Sequence, residues 1–429
     1  MLKQLIILSV LLSAACFVRA AAPARPLPAL PEIPARTFTV TDYGAQAGTT
    51  NDCAGAFQAA VDAAAAAGGG TVRVPVGEYL MGPIRLKSRI RLLLDDGAVL
   101  RLLPLGQYPI GINRQPFIGG DRLEDVALEG RGMIDGQGSA WWPHYKEKGF
   151  NRPVLFGVRG SKRILVKDVT FLNAPMFNIA IGFSEDITVR GARTLAPPSH
   201  PKNPGDEASH NTDSCDVSGK RILIERCYFS TGDDNYTNSG LTEDVLIRDC
   251  AFGNGHGLSM GSGIHDYVRN FTVEHCVFKG TECGIRIKSD RGRGGAVSNV
   301  VYRNIKMIDV GMPILMYGAY NAPDPFRRLW RTDVETLKQY PAAEFTRSTP
   351  FYSNITISNL TATATDKKSR AGLVWGLPEA HVKGLRLENV KITSVRPLLF
   401  MNVDDPVCIN VEIRNEKGEE MPIEKGFNE

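Results

Sequence analysis

At 429 residues the chain has room for two or three ordinary domains or for one elongated repeat, so length alone selects neither. A formal charge of +4, falling to +2 (4 − 2) without Lys3 and Arg19 of a leader, is too small to argue for a nucleic-acid or membrane-surface partner. The 43 Gly and 26 Pro imply many tight turns and favour short strands over long helices.

In chain order, "MLKQLIILSVLLSAACFVRA" has an early Lys, an apolar run and small residues at its end. This pattern predicts a cleaved signal peptide over 1–20, too short for a membrane span, and hence a secreted or periplasmic protein. Lipidation at Cys16 is the weaker alternative, because Ser13 stands where an aliphatic residue is wanted. Residues 21–36 are Pro-rich and predict an extended linker, leaving 37–429 as a single unit. "NDCAGAFQAAVDAAAAAGGG" predicts a helix capped by Asn51 or Asp52 and stopped by Gly68 to Gly70; it would cover the open end of a strand-rich body.

From there the sequence is periodic. "ILIERCYF" ends at Phe229, "VLIRDCAF" at Phe252 and "FTVEHCVF" at Phe278, at intervals of 23 and 26 residues, with weaker copies from Phe171 to Ile392. Each copy alternates apolar and other residues, breaks at two polar residues, and resumes, which describes strand, bend, strand; no helical period fits. Repeats of this length predict an all-β solenoid, a right-handed single-stranded parallel β-helix with an N-terminal capping helix. Cys227, Cys250 and Cys276 then form an internal column, as small buried hydrophobes rather than disulfides or zinc ligands. Residues Asn321 to Ser353 break the period and predict a loop excursion over one side.

Certain polar residues keep the coil spacing without belonging to the repeat. Asp213 is followed after 20 residues by Asp233 and after 21 by Asp234; 22 beyond Asp234 is His256, and 30 beyond that Arg286, with Lys288 next on the same strand face. Stacked at about 4.8 Å per coil, these groups would form one column. Singly, "GDD" and "NTD" are ordinary turns and "RIK" an ordinary solvated face; jointly they outline a site for an anionic substrate. Paired carboxylates fit glycoside hydrolysis, which needs one protonated acid and one ionised base. Adjacent cations suit a uronic acid carboxylate.

At "DYGA", "GGGTVRVPVGEYLMGPIRLKS", "NTD", "GDD", "GHGLSMGS" and "RIK" the sequence resembles glycoside hydrolase family 28, the polygalacturonases, and in particular its bacterial members. The resemblance implies a parallel β-helix that cleaves the α-1,4-galacturonosidic linkages of pectin with inversion, without metal or cofactor. By position Asp233 resembles the general acid, Asp213 and Asp234 the pair that holds and deprotonates water, and His256 the histidine that supports the acid. Arg286 and Lys288 match the residues that hold the substrate carboxylate. Tyr320, or less directly Tyr317, matches a tyrosine beside them, and Asn211 is expected to shape the cleft floor. Ser214, Asn235 and "NYTNSG" depart from the family pattern and question substrate fit more than chemistry; Trp141, Trp142, Arg291 and Arg293 stay without a role. The partner implied is an acidic polysaccharide, acted on by a monomer. A rhamnogalacturonan or xylogalacturonan hydrolase, a calcium-dependent lyase and a non-catalytic polysaccharide-binding β-helix are the rival readings.

Overall fold

The computed structural model describes residues 26–109 and 115–428. The predicted leader and Cys16 lie outside them. A stack of parallel coils fills the rest, every coil pairing in register with its copy one turn away. One core column runs Val126, Ile164, Ile187, Ile222, Val245, Phe271, Val300, Ile355 and Leu385 through successive coils. All nine are buried, and each such side chain removed from water contributes roughly 1.5–3 kcal/mol.

The polar breaks of the repeat are left-handed backbone positions. Arg226, Asp249, His275, Asn304, Asn359, Asn389 and Asn410 occupy the same bend with φ between 51° and 56°. That conformation is costly for most L residues and least so for Asn and Asp, which is why the bends are rich in them. The asparagines also hydrogen-bond along the stack: Asn389 Nδ2 donates to Asn359 Oδ1 (3.1 Å), and Asn359 Nδ2 to Asn304 Oδ1 (3.0 Å). Beside them Cys227, Cys250 and Cys276 are buried free thiols in one column, as the alternation predicts.

The capping helix spans Ala54–Ala66. Phe57, Ala60, Val61 and Ala64, at i, i+3, i+4 and i+7, are fully buried against the first coil, with the Phe57 ring edge-on to Tyr79 at 5.6 Å. Cys53 takes the cap position; Asp52 contributes one residue earlier, accepting from the Ala54 N–H at 2.8 Å. Gly68 (φ +86°) and Gly69 (φ +116°) end the helix. The Pro-rich segment from Pro26 is extended and lies along the coils: Ala29 N–H donates to Asp186 and Glu32 N–H to Asp125. Those carboxylates also take Arg221 and Arg163 from the next coil.

At the other end, the excursion folds back on the stack. Leu329, Leu337 and Tyr340 pack with Leu315, Leu373, Trp375 and Leu399 in a second apolar cluster outside the coils.

Candidate active site

The face that carries the site is the sheet containing Cys283–Lys288 and Met312–Tyr317, continued by bridges at Tyr236 and Thr237 to Cys215–Glu225. Inward side chains are Cys215, Tyr236, Leu258 and Ile285, so the alternate residues Asp216, Thr237, Ser259 and Arg286 face outward. The strand before the aspartate pair stops at Ser230, and Gly232 lets the chain bend. A Cβ there would fall 2.2 Å from the Ser209 carbonyl oxygen, so no other residue fits. The bend is how two consecutive aspartates reach one groove.

Asp233 sits between two elements. Its Oδ1 faces His256 Nδ1 at 3.1 Å and accepts the Asp234 N–H at 2.9 Å, while Oδ2 accepts from the Asn211 N–H at 3.2 Å. Asn211 is held in turn by Arg152, whose Nη2 donates to its side-chain oxygen at 2.7 Å. Asp234 is nearly enclosed: Oδ1 takes Ser259 Oγ (2.6 Å) and Arg286 Nη1 (2.9 Å), and Oδ2 takes Lys288 Nζ (2.7 Å). Arg286 Nε is buried and finds no acceptor among the described residues. Tyr320 covers this corner, with Lys288 Nζ at 5.5 Å and the Arg293 guanidinium at 5.6 Å from its ring centroid. Tyr317 is buried beneath, its ring 6.2 Å from that of Tyr320.

The carboxylates are driven apart electrostatically. Burial, reinforced by repulsion from Asp233, Asp234 and Asp216, pushes Asp213 well above the usual carboxylate range, which favours its neutral form. Burial also works to raise Asp233, but the His256 hydrogen bond and charge outweigh it and hold that carboxyl low. Asp234 is likewise held low against its burial by Lys288 and Arg286. His256 moves up: its burial is overcome by Asp233, with Glu282 adding to the effect from 3.1 Å off Nε2. Among these side chains, the proton that Asp233 and His256 share therefore rests on the imidazole.

The structure brings Asp213, Asp233, Asp234, His256, Arg286, Lys288, Asn211 and Tyr320 to one groove. Sequence reasoning passed over Asp216, Ser259 and Glu282. Asp216 was within reach of it, since a buried Cys215 forces the next side chain outward; its carboxyl, half-buried at the groove, is pushed to about 7, by desolvation first and then by Asp234. Glu282 leaves no such trace, because it precedes the strand.

The unassigned residues turn out to be walls and anchors. Trp141 and Trp142 are buried, and Arg291 pairs with Glu379 at 2.7 Å. Of the departures from the family pattern, Ser214, Asn235 and Tyr236 are buried, whereas Thr237 faces outward and Ser239 lines the groove. Asn235 donates to the Phe229 and Asn254 carbonyls, Ser214 Oγ lies 3.0 Å from Thr231 Oγ1, and Tyr236 donates to the Val217 carbonyl.

A parallel β-helix carrying three aspartates and two cations in one groove defines the class of protein by fold and site. Within that class residues 70–408 match the glycosyl hydrolases family 28, and the chain belongs to that family. It is 29% identical over 306 residues to a polygalacturonase of Chamaecyparis obtusa, a match covering 67% of this chain and 57% of that one. It is also 31% identical over 283 residues to an endo-polygalacturonase of Pectobacterium carotovorum subsp. carotovorum, covering 57% and 68%. The chain thus spans little more than half the length of the first of these relatives. Its fold is similar to that of an exopolygalacturonase from Thermotoga maritima, with a TM-score of 0.70 at 22% identity over 94% of each chain.

Proposed function

We propose that this protein hydrolyses the α-1,4-galacturonosidic linkages of pectin by inverting acid/base catalysis. One observation carries the reading: Asp233 and Asp234, neighbours in sequence, share one groove but have opposite partners, a proton donor at His256 and a cation pair at Arg286 and Lys288.

In this reading the substrate carboxylate seats against the Arg286 side chain and shares Lys288 with Asp234. The arriving negative charge raises the proton affinity of Asp233, and the His256 proton passes to it. Asp233 then protonates the glycosidic oxygen as its bond to the anomeric carbon breaks. Water attacks that carbon from the opposite side and gives its proton to Asp234, the ionised member of the pair, while neutral Asp213 orients the water. Both products end as hydroxyl compounds, with configuration inverted at carbon. Export is part of the proposal and rests on residues 1–20 alone.

The test is a panel of homogalacturonan, rhamnogalacturonan and xylogalacturonan, with anomeric configuration read by NMR. Homogalacturonan cleaved to the inverted anomer is expected; cleavage confined to a branched or rhamnose-containing polymer moves the substrate within the family. Asp233, Asp234 and His256 bring ligand atoms within 4.8 Å of one another, so the panel is repeated with a chelator. The rate is expected to hold; loss of activity together with unsaturated products would turn the reading to a lyase.

A further inference from the structure

The groove face changes character along the stack. Outward from the first coils project Gly119, Gly157 and Ala180, aligned in register. They leave a trough of about 590 Å³ running from Arg85 to Asp216. Its floor cannot rise, because a Cβ on Gly119 would fall 2.0 Å from the Gly157 carbonyl oxygen. Arg159 lies on the same surface, its guanidinium 4.7 Å from the ring centroid of Phe183, a phenylalanine 53% exposed. This arm is open, partly cationic and long.

The middle coils carry Asp216, Thr237, Ser259 and Arg286. Immediately beyond, the same outward column becomes Leu315, Leu373 and Leu399. These are at most 2% exposed, because the excursion lies on them; it ends at 350, three residues earlier than the sequence predicts, since Phe351–Ala364 is a coil strand. The cover is fastened at several points. Tyr340 packs edge-on against Trp375 at 5.0 Å, and Arg396 Nη1 donates to the Trp330 carbonyl. Asn428 Nδ2 donates to the carbonyls of Lys338 and Tyr340, and Arg291 Nη2 to that of Pro341. A single coil, about 4.8 Å, separates Arg286 from this apolar, filled surface. Among the described residues the groove is therefore a trough with one open end and one wall.

Resting on the hydrolase reading above, we propose that the wall makes this protein a chain-end cutter. It removes a mono- or disaccharide from the polymer end that seats against Tyr320, while the Gly-floored arm holds the rest of the chain. The wall is a packed cluster with its own apolar interior, so it limits substrate length in the resting protein and does not need to close.

The experiment follows products and viscosity together on whichever of the three pectic polymers is cleaved, and repeats the digestion on oligosaccharides labelled at one end. The proposal expects only mono- or disaccharide product from the first time point and viscosity falling in proportion to bonds cut. It also expects label to leave first from a single end. A ladder of intermediate oligosaccharides early in the reaction, with viscosity collapsing while few bonds are broken, overturns it and leaves the hydrolase reading standing. Cleavage of none of the polymers removes both.

Discussion

At the scale of single residues, the contrast between Asp233 and Asp234 comes from their partners rather than from their position in the chain. Asp233→Asn keeps the shape and the Asn211 contact but cannot deliver a proton. Turnover is expected to fall about 100-fold or more with oligosaccharide binding retained, read by steady-state kinetics beside calorimetry; unchanged turnover would remove Asp233 from its role. His256 governs the alkaline side. Its raised affinity for the proton means the Asp233–His256 pair is loaded below that value and empties as pH rises through it. In His256→Gln the proton depends on a carboxyl alone, so the alkaline limb of kcat/KM is expected to move toward acid by about one pH unit or more. Asp216 affects stability. Its carboxyl titrates near 7 when folded against 3.8 unfolded, so its favourable contribution is complete below 3.8 and is lost as pH rises through 7. Asp216→Asn should match the parent at pH 4 and exceed it at pH 8, by up to a few kcal/mol at roughly 1.4 per pKa unit, measured by urea unfolding at the two pH values.

Individual elements show which parts of the fold could be read in advance. The strand–bend–strand unit was legible because its core alternation and its bend are local: apolar residues point inward, and Asn or Asp takes the left-handed corner. The aspartate column was legible because parallel register turns sequence spacing into proximity. Asp216 required following the alternation one residue further than the motif. The excursion 321–350 was visible only as an interruption, because its Leu and Tyr anchors answer a non-periodic surface built by distant coils. The docking of the Pro-rich segment was hidden for a similar reason, its acceptors Asp125 and Asp186 lying 93 and 157 residues away. The asparagine ladder can be tested directly. Asn359 combines φ +51° with hydrogen bonds to both neighbouring coils, and Asn359→Ala loses the bonds while keeping the strained corner. A cost of about 1–3 kcal/mol is expected, with Asn359→Gly recovering part of it; denaturant midpoints for the two variants decide.

Over the whole molecule, the stack is held by repetition: each coil satisfies the next, the helix Ala54–Ala66 closes the first, and no long-range covalent tie appears among the described residues. Six cysteines in that region are buried and reduced, and Cys408, on the last long strand, is exposed. The consequence is a built-in gauge of opening. A thiol reagent such as dithionitrobenzoate should titrate one sulfhydryl per native molecule among those seven and reach the other six only as coils part. Cys227 and Cys250 report the coils that carry the aspartates and Cys276 the coil of His256, whereas Cys53 reports the capped end. The order in which they become alkylated under mild denaturant, read by mass spectrometry, would tell from which terminus the solenoid begins to unwind.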